Sequence, residues 1–233
     1  MSKSFFLVGL LGASLCGAAA AAQTPQTVSA TYNLYMNGAH VAVMNETYDA
    51  KNASYRIVSE STPLGALALF QKPAKVVSSG RLTPEGLRPE RFEGRSIGRG
   101  EVMAEFDWPG EKLSFGRDGR METVTLPAGT QDRLSVMYQF MFRALDGREK
   151  LDLAMTDGRR LARYNYAVTR GVEIDTPLGR MGTVHLVRQG ADGSGTEIWL
   201  APERHFLPVR MVVREDNGTR YEQVATRIEV TGQ

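Results

Sequence analysis

The feature that most constrains this chain is a succession of short strand-like segments separated by turns. Between residues 31 and 43, apolar residues alternate with polar ones on both sides of Asn37-Gly38. An Asn-Gly pair between two such runs is the strongest short hairpin signal, because a type I′ turn needs positive φ at both positions. Similar runs recur as far as residue 230, and glycine- and proline-containing turns separate most of them. The pattern predicts an all-β, mainly antiparallel domain.

About a dozen strands are too many for one flat, open sheet. We therefore expect a strongly curved meander sheet, or an open or closed barrel. The composition does not shift along residues 23–233, and no repeat of fixed period appears there. These residues are expected to form a single β-rich domain.

One segment departs from the strand pattern. The sequence TQDRLSVMYQFMFRALDG predicts one buried helix at about residues 130–146, roughly 25 Å long at 1.5 Å per residue. Its apolar face is wide, as in a helix that is largely buried, and contains Leu134, Met137, Tyr138, Met141 and Leu145. A second, short helix is expected near residues 63–71, with Thr62 as its cap and Pro63 at its first position.

Two interpretations of the longer helix remain open. It would fill the concave side of the curved sheet as core, or it would line an apolar cavity there. In the second case the expected ligand-binding residues are Met137, Tyr138, Met141 and Trp199, since methionine side chains adapt to irregular apolar ligands.

The N-terminus resembles a secretory signal peptide. Lys3 precedes an apolar run, and Ala20-Ala21-Ala22 precedes Gln23. We expect residues 1–22 to be cleaved and the mature chain to reside in the periplasm; the alternative is an N-terminal membrane anchor. No later stretch is long and apolar enough to span a membrane.

Charge and motifs exclude some functions. The chain has 28 Lys and Arg against 26 Asp and Glu, which provides no general field for nucleic acid. His40, His185 and His205 are far apart in sequence, and no ligand set for a metal or motif for a cofactor appears. Ser194 lies in a near miss of the serine hydrolase motif, but between strands. We therefore predict no catalytic residue, metal or cofactor.

Several segments together resemble a known family. They are SGRLTPEGLRPERF, FDW, LPAGTQDRLSVMYQF, TPLGRMGTVHLVR and EIWLAPERHFLPVRM followed by DNG. The chain resembles the exported family called domain of unknown function 3108. The resemblance implies a periplasmic β-rich domain and no activity. At the helix start, we expect Asp132 and Arg133 to pin the helix to the sheet by an ion pair.

Three classes of function follow. The first is a non-enzymatic envelope protein that binds an apolar or amphiphilic ligand on the concave side of the sheet. The second is a structural or partner-binding envelope module that uses a sheet edge or an exposed patch. The third is an envelope glycan or lipid hydrolase, which the missing motifs make the weakest.

Overall fold

The computed structural model describes residues 25–96, 100–142, 145, 147–190 and 192–232. The expected signal peptide, residues 1–22, lies outside them, so its cleavage stays a prediction. The helices are α1 (Leu67–Phe70), α2 (Ser135–Gln139) and a 3-10 helix (Pro202–Arg204). The strands are β1 (Thr27–Met36), β2 (Ala39–Lys51), β3 (Ser54–Pro63), β4 (Ala74–Thr83), β5 (Gly86–Ser96), β6 (Gly100–Asp107), β7 (Lys112–Arg117), β8 (Arg120–Thr125), β9 (Gln131–Asp132), β10 (Lys150–Thr156), β11 (Leu161–Thr176), β12 (Gly179–Gln189), β13 (Gly195–Ala201), β14 (Leu207–Arg214) and β15 (Arg220–Thr231).

The strands of the described residues form one sheet of fifteen strands. Its order runs from β8 down to β1, continues at β15 and descends to β9. Every pairing is antiparallel except that of β9 with β10. The prediction of an all-β, mainly antiparallel meander is confirmed. The sheet does not close into a barrel, because β8 and β9 are its two ends.

The sheet is nevertheless strongly curved. Laid flat, its fourteen strand spacings would place β8 and β9 about 67 Å apart. Only residues 126–130 join these strands, and they can span about 20 Å at most. Helix α2 contacts both β5 and β14, which are six spacings apart in the sheet, or about 29 Å along it. The two ends therefore approach one another, and α2 lies on the concave side.

The first hairpin has the predicted turn. Asn37 and Gly38 both have positive φ, at 50° and 84°, as a type I′ turn requires. The alternation before it places Val28, Ala30 and Tyr32 in the core. The local sequence pattern therefore determines both the turn and the buried face of β1.

The predicted helix at residues 130–146 is confirmed only in part, because α2 covers five residues, Ser135–Gln139. Gln131 and Asp132 belong to a strand that pairs with Met155 and Thr156 of β10. Residues 140–142 form turns, and residues 143, 144 and 146 lie outside the described residues. The predicted length is wrong because the sheet takes the backbone hydrogen bonds of the segment's first residues.

The apolar side chains of this segment pack in two core clusters. Leu134 and Tyr138 belong to one core cluster, whereas Val136 and Phe140 belong to another. Met137 packs against both clusters. The segment is apolar on most sides because the sheet surrounds it. A short helix flanked by turns needs the same apolar surface there as a long helix would.

The second predicted helix, near residues 63–71, is present but shorter. It is α1, Leu67–Phe70, and Thr62 and Pro63 belong to β3 instead of capping it. Gly65 separates the strand from the helix with φ of +56°, a conformation that few other residues adopt. Among the described residues, no helix reaches the length and apolarity that crossing a bilayer requires.

Candidate functional site

The most exposed apolar side chains lie at the connection between β3 and β4. This α1 tip comprises residues 64–73, and in it Leu69 and Phe70 are 79% and 80% exposed. The helix ends at Phe70, and Pro73 precedes β4. Two adjacent large apolar side chains that contact so little of their own protein are unusual, since burying such side chains is favourable. The α1 tip therefore has the composition of a contact surface.

The charge around the α1 tip has one sign. Residues 62–75 contain two lysines, Lys72 and Lys75, and no carboxylate. Lys75 is in an ion pair of 2.7 Å with Glu60, and both side chains are exposed. Lys72 is exposed as well. The tip thus combines apolar side chains with a neighbouring cation.

The four predicted ligand-binding residues pack in or against one core cluster. Tyr138 is buried, whereas Met137 and Met141 are half-buried and pack against the core. Trp199 lies between Ile198 and Leu200, which pack with Val136 and Phe140. Trp199 itself belongs to the same core cluster as Tyr138. A ligand at these residues stays a prediction.

The start of the α2 segment is fixed by a buried carboxylate. Oδ1 of Asp132 accepts hydrogen bonds of 2.8 Å from the backbone N–H groups of Leu134 and Ser135, and Oδ2 accepts one of 2.6 Å from Ser78. Ser78 uses its proton in that bond, so the hydroxyl of Tyr55 donates to Ser78, at 3.1 Å. Burial raises the pKa of Asp132, and the hydrogen bonds from Ser78 and Ser135 oppose that change.

The expected ion pair of Asp132 with Arg133 is a wrong prediction for the described residues. Asp132 does pin the segment to the sheet, but through hydrogen bonds to uncharged groups. The guanidinium of Arg133 instead lies 5.8 Å from the ring centre of Phe92.

A second buried carboxylate meets the middle of α2. Glu46 of β2 accepts hydrogen bonds of 3.0 Å from Ser59 and 3.1 Å from Tyr138. Burial raises the pKa of Glu46, and both hydrogen bonds partly offset that effect. The ring of Tyr138 stacks on Tyr48 at 5.5 Å. The alternation of β2 contains a signal for this site, because Glu46 follows Ala42 and Met44 on the core-facing side.

The end of α2 is bonded to the turn before β5. Gln139 accepts a hydrogen bond of 2.6 Å from Leu87 N–H and donates one of 2.7 Å to the carbonyl of Glu85. Gly86 lies between these residues with φ of +105°, and a Cβ there would lie 2.6 Å from the Gln139 side chain. Glycine is therefore required at position 86 both by its backbone conformation and by this close approach.

Between β12 and β13, His185 stacks on Trp199, with ring centres 4.2 Å apart. His185 Nε2 lies 3.1 Å from Glu197, which also accepts a hydrogen bond of 2.6 Å from Arg214. Burial lowers the pKa of His185, and the Glu197 carboxylate acts in the opposite direction. The guanidinium of Arg210 lies 5.0 Å from the Trp199 ring centre. The group could not be predicted from the sequence, because its members come from three strands.

The His185 group lacks the parts of a hydrolase. A histidine beside a carboxylate serves as a general base only when a nucleophile is within its reach. Within residues 25–96, 100–142, 145, 147–190 and 192–232, no hydroxyl or thiol side chain is hydrogen-bonded to His185. The same residues contain no cluster of three side chains that would hold a metal ion.

Two of the clefts formed by the described residues are open to solvent. The larger, about 770 Å³, is lined by residues of β7, β8 and the turn between β10 and β11. The smaller, about 330 Å³, is lined by residues near Gln26, Lys51 and Leu82. The four residues that sequence analysis predicted to bind a ligand line neither cleft.

Comparison with known families decides the family question. The family model described as protein of unknown function DUF3108 matches residues 31–225. This chain belongs to the DUF3108 family. The resemblance recognised in the sequence is thereby confirmed, and it carries no assigned activity. No match is found among curated proteins.

Solved structures extend the comparison to the fold. A beta-barrel-like protein of domain of unknown function DUF1849 from Brucella abortus is 12% identical, with a TM-score of 0.53, over 89% of the DUF3108 chain and 99% of its own. An exported protein with a YmcC-like fold from Bacteroides fragilis is 13% identical, with a TM-score of 0.36, over 88% and 96%. A lipoprotein from Parabacteroides distasonis is 11% identical, with a TM-score of 0.37, over 89% and 96%. The first similarity shows a shared β-barrel-like fold.

Proposed function

We propose that this DUF3108 protein is a non-enzymatic, exported protein of the periplasm that attaches reversibly to a lipid surface through the α1 tip. The observation that supports this function is the exposure of Leu69 and Phe70 at adjacent positions. The proposal belongs to the class of modules that use an exposed patch. A lipid surface suits the tip better than an acidic or basic protein face. The two apolar side chains can enter the boundary between headgroups and acyl chains while the cation contacts an anionic headgroup.

The magnitudes favour a weak, reversible attachment. Burying Leu69 and Phe70 would contribute roughly 1.5–3 kcal/mol each. Lys72 would add about 1 kcal/mol on an anionic surface; Lys75 adds less because it is paired with Glu60. A total of about 4–7 kcal/mol is sufficient for peripheral binding, but it is much smaller than the free energy that holds a spanning helix in a bilayer.

The other two functions have less support. A ligand on the concave side would have to share that space with α2, whose Val136, Tyr138 and Gln139 are buried. A hydrolase would need a nucleophile or metal set, and the His185 group supplies neither among the described residues.

Vesicle binding tests the proposed function. The full mature chain is sedimented with vesicles of phosphatidylethanolamine and phosphatidylglycerol, and the bound fraction is measured against lipid concentration. We expect the wild-type protein to bind and the variant Leu69→Ser/Phe70→Ser to lose at least about tenfold in affinity, since about 1.4 kcal/mol corresponds to tenfold.

A matched variant separates apolarity from sequence. Leu69→Met/Phe70→Leu keeps two large apolar side chains at the same positions and is expected to bind as the wild-type protein does. Failure of the wild-type protein to bind these vesicles, or equal binding by the serine variant, would overturn the proposal. Export is tested separately by the intact mass of the periplasmic chain, which should begin at Gln23.

A further inference from the structure

The larger cleft lies beside the β7–β8 hairpin, at one end of the sheet. β8 is the last strand at one end of the sheet, and Phe115, Arg117 and Arg120 from its hairpin with β7 line one side of the cleft. Arg159, in the turn between β10 and β11, lines the cleft as well. We call this open space, about 770 Å³ in volume, the seam.

The backbone of β8 offers hydrogen-bonding groups to the seam. Leu126 N–H donates to the carbonyl of Glu111, just beyond the β7–β8 ladder. Hydrogen-bonded pairs alternate along an antiparallel ladder, so every second β8 residue counted back from Leu126 is bonded to β7. With the register Glu122 opposite Phe115, the N–H and C=O groups of alternate β8 residues point away from β7. These residues are Met121, Thr123 and Thr125. Within the described residues, no strand pairs with this edge of β8, and these outward-pointing backbone groups have no hydrogen-bond partner.

The two faces of β8 are chemically different. Glu122 and Val124 lie opposite the buried Phe115 and Leu113, so they share the concave face. Arg120 lies on that face at the closing pair of the hairpin. Thr123 lies on the outer face, where its hydroxyl is 2.9 Å from that of Ser114. An added strand would therefore direct alternate side chains toward Arg120, Glu122 and Val124.

The charge of the seam favours a carboxylate. Arg117, Arg120 and Arg159 line it with Asp118 and Glu122. Asp118 is engaged by Arg117 at 3.2 Å and by the N–H of Glu101 at 2.9 Å. That leaves two guanidinium groups, of Arg120 and Arg159, against one carboxylate. Arginine is well suited to bind carboxylates because its N–H groups match their geometry.

We infer that the seam binds an extended acidic peptide, which pairs with β8 as an additional antiparallel or parallel strand and places a carboxylate between Arg120 and Arg159. Main-chain hydrogen bonds to Met121, Thr123 and Thr125 would supply affinity, and the arginines would supply selectivity. This site is separate from the α1 tip, so its failure and that of lipid attachment are distinguishable.

Peptide binding tests the inference with two defined probes. A fluorescein-labelled octapeptide that alternates Thr with Glu is titrated with the full mature chain and followed by fluorescence anisotropy. The same octapeptide with Lys in place of Glu is the charge control. We expect the acidic probe to bind at least about tenfold more tightly, as expected when an ion pair is replaced by repulsion.

Backbone pairing is tested on both molecules. N-methylation of alternate amides on one edge of the acidic probe removes its hydrogen-bond donors on that edge, and we expect binding to fall for at least one of the two methylation patterns. On the protein, Thr123→Pro removes an N–H at the unpaired edge of β8 and leaves the ladder with β7 intact. Its thermal unfolding verifies that it folds, and its affinity is expected to fall about tenfold.

Charge variants complete the test. Arg120→Glu/Arg159→Glu should abolish the preference for the acidic probe, whereas Arg56→Glu, an exposed arginine of β3, should leave it unchanged. Equal binding of acidic and basic probes, binding unaffected by either methylation pattern, or no binding by the folded wild-type chain would each overturn the inference. A dimer that Thr123→Pro dissociates would identify a second copy as the occupant and would also overturn it.

Discussion

The hydroxyl of Ser78 donates a hydrogen bond of 2.6 Å to the buried carboxylate of Asp132, which lies 54 positions later in the chain. This bond joins β4 to the start of the α2 segment. The same carboxylate accepts two backbone N–H groups, from Leu134 and Ser135. Asp132 is therefore the point at which the segment inside the curve is attached to the sheet.

Replacing Asp132 should strongly destabilise the fold. Asp132→Ala leaves three buried donors without an acceptor, and each such group costs about 1–3 kcal/mol. We expect a loss of about 3 kcal/mol or more in the free energy of unfolding, measured with urea. Asp132→Asn retains Oδ1 for both N–H groups and should lose much less. Equal losses for the two variants would contradict the role assigned to Oδ1.

The buried carboxylate of Glu46 should make stability depend on pH. Burial raises its pKa in the folded state above the ordinary value of 4.5, so the folded chain holds a proton that the unfolded chain has lost. Stability from this group therefore rises as pH falls from neutral toward 4.5, and it is constant below that value because both states are then protonated.

The variant Glu46→Gln isolates this effect. The amide of the variant does not titrate. The unfolding free energy of the wild type should therefore rise relative to that of the variant as pH falls from neutral toward 4.5. Urea unfolding over a series of pH values measures the two profiles. Parallel profiles would show that Glu46 ionises as freely in the folded chain as in the unfolded chain.

Two stacked tyrosines should respond differently to loss of their hydroxyls. Tyr138 donates to Glu46, whereas the Tyr48 hydroxyl has no hydrogen-bond partner among the described residues. Tyr138→Phe should cost about 1 kcal/mol, and Tyr48→Phe should be neutral or slightly stabilising because it removes a buried polar group. Both keep the aromatic stack. The expected order of thermal midpoints is Tyr48→Phe above Tyr138→Phe; the reverse order would contradict the network around Glu46.

Two glycines with similar φ allow the cost of backbone strain to be measured separately from the cost of steric crowding. Gly86 and Gly179 have φ of +105° and +107°, but a Cβ at Gly179 would meet nothing within 4 Å. Gly179→Ala should cost about 1 kcal/mol for the backbone alone. Gly86→Ala should cost about 1–3 kcal/mol more, because the added methyl displaces Gln139. Equal costs in urea unfolding would mean that Gln139 moves aside freely.

The pKa of His185 should lie below 6.5, its ordinary value, because burial outweighs the attraction of Glu197. Glu197→Gln removes that attraction and should lower the pKa of His185 further. Because the folded-state pKa is depressed, stability from this group is present above pH 6.5 and is lost as pH falls below it. NMR titration of the His185 ring measures both values. A rise in the pKa on Glu197→Gln would contradict the ion pair.

Local sequence patterns predicted the parts of this fold that depend on local interactions. The Asn37-Gly38 turn and the alternation of β1 follow from backbone preference and burial of one face. The length of α2 could not be predicted in this way, because pairing of Gln131 and Asp132 with β10 depends on residues about 24 positions away. The apolar periodicity of that segment is equally compatible with a long helix and with a short one surrounded by sheet.

The candidate sites also combine features that local sequence predicts with features that depend on the whole fold. The α1 tip was visible as a short apolar helix near residues 63–71, but its exposure depends on what the rest of the chain leaves uncovered. The seam depends on which strands end the sheet, and β8 and β9 end it because the first strand, β1, pairs with the last, β15, in its middle. Trp199 and Tyr138 lie 61 positions apart in the sequence, and only the folded sheet brings them into one core cluster.

Quenching by brominated lipids tests the central functional claim most directly. A tryptophan is introduced by Phe70→Trp in one variant and by Met121→Trp in another, since Met121 is also an exposed large apolar residue, at 42%. Fluorescence beyond that of Trp108 and Trp199 in the wild-type chain is then measured on vesicles with and without brominated acyl chains. The account predicts quenching for Phe70→Trp and none for Met121→Trp. Absence of quenching for Phe70→Trp, or equal quenching for both, would contradict it.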